Sequence, residues 1–78
     1  MYQKVSKYNL SELSKILIGK NINFISDCEF FPNFNVNVYC KSITIAKNSE
    51  YLIHCVNLHN HKKIDIGSNM KNLQFLLL

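Results

Sequence analysis

Phe34-Asn35-Val36-Asn37-Val38-Tyr39-Cys40-Lys41-Ser42-Ile43-Thr44-Ile45 is the stretch that decides the fold. Phe34, Val36, Val38 and Cys40 share one parity, while Asn35 and Asn37 share the other. Side chains alternate between faces along a strand, so this pattern predicts a strand with one buried and one wet face. From Lys41 onward the apolar parity flips, because Ile43 and Ile45 are odd-numbered. One extra residue reverses the facing of everything after it, which predicts a bulge or break near Cys40–Ser42.

The N-terminal side repeats the alternation. Ile22, Phe24, Ser26, Cys28 and Phe30 lie on one parity and Asn23, Asp27 and Glu29 on the other, with Ile25 an exception. A strand over 21–31 follows, broken by Pro32-Asn33. Before it, Asn9 with Glu12 three positions later is a capping-box spacing, and Tyr8 and Leu13 fall at the staple positions. Leu10, Leu13, Ile16 and Leu17 recur at helical spacing, with Ser11, Ser14 and Lys15 opposite. This predicts a helix over 10–18, closed by a left-handed Gly19. So short a helix does not persist alone, and its apolar stripe must lie on the sheet.

The C-terminal side adds strands. Lys47-Asn48-Ser49-Glu50 reads as a hairpin turn into Tyr51–Leu58. That segment is apolar at both parities, as expected of a strand covered on both faces or paired centrally. Asn60-His61-Lys62 supplies another turn, and Ile64-Asp65-Ile66 a short strand ended by Gly67-Ser68-Asn69. In Met70–Leu78 the alternation of Leu73, Phe75 and Leu77 favours a strand, although Met70, Leu73 and Leu77 also fit a helix. The fold class expected is α+β: a single domain over 1–78, with an N-terminal helix packed on an antiparallel β-meander of four to five strands.

Composition narrows the function classes. The chain has 78 residues, 47% hydrophobic and 18% charged. That is too apolar and too weakly charged for a disordered chain. No run of about 18 apolar residues exists to span a membrane, so no membrane partner is expected. Met1–Lys7 is not followed by an apolar stretch, so a secretory signal is not expected either and a cytoplasmic protein is. Cys28, Cys40 and Cys55 have no close pairing and read as three reduced, core-type thiols, with one bridge plus one free thiol as the alternative.

The net charge of +4 comes entirely from nine lysines, with no arginine. Lysine is a point charge and lacks the bidentate fork used to read bases, so a dedicated reader of nucleic-acid sequence is not expected. Eleven asparagines are spread along the chain and do not cluster as low complexity would.

Four kinds of chemistry are open to these residue types. His54, Cys55, His59 and His61 are the only gathering of metal-type ligands. In an extended strand His59 and His61 would share a face about 6–7 Å apart, but Cys55 would lie roughly 13 Å away. Two ligands do not make a zinc site, so neither metal nor other cofactor is expected. A ribonuclease could use His59 and His61 as base and acid with Lys62 or Lys63 on the phosphorane, yet nothing fixes their geometry. Phe30, Phe31, Phe34 and Tyr39 could stack bases, but the parity of Phe30 and Phe34 favours core packing.

A protein-binding surface is the remaining reading. It rests on the apolar Leu76–Leu78 end, on Phe31 and Phe34 around a turn, and on Asn-rich outer strand faces. The function expected is therefore a non-catalytic binder of another protein, in concrete form an inhibitor or immunity-type protein masking a toxin or defence enzyme. The partner-binding residues expected are Phe31, Phe34, Tyr39, His59, His61, Lys62 and Lys63. The alternative is a small basic RNA-binding protein or ribonuclease toxin centred on His59, His61, Lys62 and Lys63. An open edge strand would also permit a homodimer.

Overall fold

The computed structural model describes residues 1–28, 30 and 33–78. Among them lie six strands, β1 (Gln3–Lys4), β2 (Asn21–Ser26), β3 (Phe34–Ile45), β4 (Tyr51–Asn57), β5 (Lys63–Gly67) and β6 (Gln74–Leu77), and one α-helix, α1 (Leu10–Leu17). They form a single antiparallel sheet in the order β1-β6-β2-β3-β4-β5, with α1 on one face. This is an α+β domain, with six strands where four to five were expected. Nor is the helix at the N-terminus of the fold: β1 and a 3-10 turn at Val5–Lys7 precede it.

The capping box forms as its spacing dictates. The Asn9 side chain accepts from the Glu12 N–H at 2.9 Å, and Glu12 Oε1 accepts from the Asn9 N–H at 3.1 Å. Such a cap stabilises a helix by about 1 kcal/mol. Leu13 and Leu17 are fully buried under the sheet. Gly19 then takes φ +81°, and its N–H donates to the Cys40 carbonyl at 2.9 Å. The Cys40 N–H returns a bond to the Lys20 carbonyl at 3.0 Å, so the end of α1 is tied to the middle of β3.

Two expectations on β2 need correction. The strand stops at Ser26, not at 31, because the Asp27 N–H turns to the Lys71 carbonyl at 3.0 Å. Once the chain leaves the sheet, parity no longer decides facing, and Phe30 is 85% exposed where a core position was expected. The bulge, by contrast, falls where the parity flip puts it: β3 and β4 pair Cys40 with Cys55 and then Ser42 with His54, skipping Lys41.

β6 was not placed by the sequence, and its position bends the sheet. Only residues 68–73 link the far edge strand β5 to β6, and they turn twice, with bonds from Met70 N–H to the Gly67 carbonyl and from Leu73 N–H to the Met70 carbonyl. A flat sheet would separate those strands by about 19 Å, near the limit of about 24 Å for a fully extended link of that length. The link is far from extended, so the sheet curls and brings β5 and β6 closer than a flat sheet would, with Ile66 of β5 and Phe75 of β6 in one buried cluster.

Inside the curl, Phe24 faces Phe75 across β2 and β6, and Tyr8 packs on Phe75 with ring centroids 5.9 Å apart and planes tilted by 57°. Ile53, Cys55 and Ile66 close the other end of this core. Cys40 and Cys55 meet within it, and all three cysteines are free thiols. The Cys55 thiol is held well above the usual thiol range, first by its hydrogen bond with Cys40 and then by burial. It is therefore protonated and inert as a nucleophile. No helix among the described residues is long and apolar enough to cross a membrane.

Candidate functional site: the uncovered face of the sheet

The helix covers only the inner face, and strand register dictates what the outer face carries. Lys4, Gln74, Ile25 and Asn35 make one row across β1, β6, β2 and β3. Leu76, Asn23 and Asn37 make the next, and Asn21, Tyr39, Val56 and Lys63 the one after. Beyond the bulge come Ser42, His54 and Asp65, then Thr44 and Leu52.

At the β2 end the polar groups are locked together. Asn23 donates its side-chain amide to Asn35 Oδ1 at 2.6 Å and Asn37 Oδ1 at 2.8 Å, while the Tyr2 hydroxyl donates to Asn23 Oδ1. These neighbours close over Asn23 and leave it 6% exposed, although it sits on the wet face that alternation assigns to it. A buried amide with its donors and acceptor satisfied avoids the desolvation penalty of unpaired polar groups. The result is a neutral, ordered surface of amides, with Tyr39 beside it at 39% exposure.

At the β5 end three side chains from three strands form a chain of hydrogen bonds. Asp65 Oδ1 lies 3.0 Å from His54 Nδ1, and His54 Nε2 lies 2.8 Å from Thr44 Oγ1. The carboxylate is an acceptor only, so Nδ1 carries a proton toward it. A hollow of about 400 Å³ opens beside this group, lined by Lys41, Ser42, His54, Cys55, Lys63 and Asp65.

The residues singled out from the sequence are dispersed. Phe31 lies outside the described residues. Phe34 is half-buried and packs against the core, so it is not a free aromatic. Tyr39 is on the uncovered face. His59, His61 and Lys62 occupy the β4–β5 turn and not an extended strand: the His59 N–H donates to Asn57 Oδ1 at 2.7 Å, the Lys62 N–H to Asn60 Oδ1 at 2.9 Å, and His61 takes φ +60°. The extended geometry that would pair His59 and His61 on one face is thus absent. His59 lines a shallow depression with Asn35, Asn37 and Leu58, and Lys63 joins the His54 hollow. Among the described residues, no three of His, Cys, Asp and Glu come together to hold a metal ion.

Sequence reasoning missed the Thr44–His54–Asp65 group. The signal was present: His54 and Asp65 are equidistant from the centre of the β4–β5 turn, so a tight hairpin pairs them directly. Alternation assigns Asn23, Asn35 and Asn37 to outer strand faces, but their meeting depends on the β2–β3 register. Comparison with known proteins returns no match: no family model, curated protein or solved structure is similar to this chain.

Proposed function

We propose that the protein is a non-catalytic binding module that docks another protein on the uncovered face of its sheet. One observation carries this reading: among the described residues no helix or strand covers that face, and on the β2 side of the bulge its middle is uncharged. Asn23, Asn35, Asn37, Tyr39, Val56 and Leu76 occupy that middle, while Lys4, Lys63 and Asp65 stand at the edge strands and Lys41 at the bulge. Protein interfaces have this anatomy, with charge depleted at the core, tyrosine enriched, and a polar rim. A single-stranded nucleic acid would call for lysines running through the middle beside stacked aromatics.

The partner fitted to this face offers hydrogen-bonding groups to the amides and an acidic rim to Lys4, Lys41 and Lys63. Its most specific form is an enzyme or toxin whose active site the face would mask. A photo-crosslinking residue in place of Tyr39 tests this directly. It should capture a discrete protein that the same residue in place of Ser11, on the exposed side of α1, does not. With that protein purified, Tyr39→Ala should weaken binding at least tenfold, the size of a central contact. Crosslinking to RNA, with retention falling steeply as salt rises, would replace the reading with a nucleic-acid one. Crosslinking only to a second copy would make the face a homodimer interface.

A further inference from the structure

We infer that the hollow beside His54 is a binding site for a phosphate group; it shares Lys41 and Lys63 with the rim of the proposed docking face but does not rest on that reading. The bulge builds it. In a regular strand Lys41 and Ser42 would point to opposite faces, but the extra residue lets both line the same hollow. β5 brings Lys63 to it from the other side of β4. Two lysines from different strands thus line one hollow, and neither is in an ion pair among the described residues. Among the described residues Asp65 is the only acidic group lining it, and His54 engages its carboxylate. With neutral imidazole, Lys41 and Lys63 against Asp65 leave a net charge of +1.

The donor set selects phosphate over carboxylate. Two mobile point charges and the Ser42 hydroxyl suit a compact tetrahedral anion, whereas planar carboxylates are held best by the fork of an arginine, which this chain lacks. A volume of about 400 Å³ also falls in the range of roughly 300–1,000 Å³ typical of small-ligand sites. There is room for a phosphate with an organic group attached.

His54 forms one wall of the hollow and is held in place there, with Nδ1 on Asp65 and Nε2 sharing a hydrogen bond with the Thr44 hydroxyl.

The test is a series of ¹H–¹⁵N NMR titrations with inorganic phosphate and with a nucleoside 5′-monophosphate, at constant ionic strength held with chloride. Saturable shifts centred on Ser42, His54 and Lys63 are expected, and Lys41→Gln and Lys63→Gln should each weaken binding at least fivefold with the rest of the spectrum unchanged. Tighter binding of the monoester would assign the site to a carried phosphate, and tighter binding of inorganic phosphate to the free anion. Shifts that do not saturate, that chloride reproduces, or that persist in a Lys41→Gln/Lys63→Gln double variant would overturn the proposal.

Discussion

The two faces of the sheet are made by the same strands, yet a substitution on one should act on stability and on the other on binding. Inward, Phe24, Phe75, Ile22 and Ile53 are sealed under α1 and the curl. Outward, Asn37 and Tyr39 flank the buried Val38 along one strand and, like Thr44 further on, are exposed. A domain this small buries only roughly 60–65% of its unfolded surface. Its inner face is fully committed to holding the fold together, which leaves the outer face for recognition.

The largest effect should come from the inner face. Phe24→Ala opens a cavity opposite Phe75 and is expected to cost about 3–5 kcal/mol. Against a total of roughly 4–12 kcal/mol for a chain of this length, urea denaturation should show a steep loss of the midpoint or no folded baseline. A loss under about 1 kcal/mol would mean that the two phenylalanines do not form a shared core.

Asn23 sits between the two regimes, since it faces outward but is buried. Asn23→Ala removes the centre of the amide cluster. Asn35 and Asn37 are exposed enough to return to water, so the expected cost is only about 1 kcal/mol by chemical denaturation. A loss comparable to that of Phe24→Ala would erase the distinction between the faces. Asn9→Ala, which breaks the capping box, should likewise cost about 1 kcal/mol and reduce helicity by circular dichroism. The smallest effect on stability is expected for Tyr39→Ala, below about 0.5 kcal/mol, as for most exposed positions.

The same contrast explains what the sequence could reveal. Features set within a few residues were legible. The Asn9/Glu12 spacing predicted the cap, the parity flip after Cys40 predicted the bulge, and Gly19 marked the end of the helix. Features set by distant pairing were not. β1 is two residues long, too short for any periodicity, and it exists because Gln3 and Lys4 pair with Phe75 and Gln74. The insertion of β6 between β1 and β2 follows from the packing of Leu73 and Phe75 inside the curl, which no local pattern encodes. For the candidate site, alternation correctly turned the asparagines outward. Which polar groups meet there depended on register, so attention fell on the neighbouring His59 and His61 rather than on His54 with Thr44 and Asp65. Phe30 failed for a related reason: parity predicts facing only while the chain stays in the sheet.

The most direct measurement pairs stability and partner affinity in one variant, Tyr39→Ala, using the protein captured by crosslinking at that position. At least a tenfold rise in Kd with a urea midpoint close to that of the unaltered chain is the result predicted for a recognition face that the fold does not need. Unchanged affinity, or weakened affinity accompanied by an equivalent loss of stability, would contradict it.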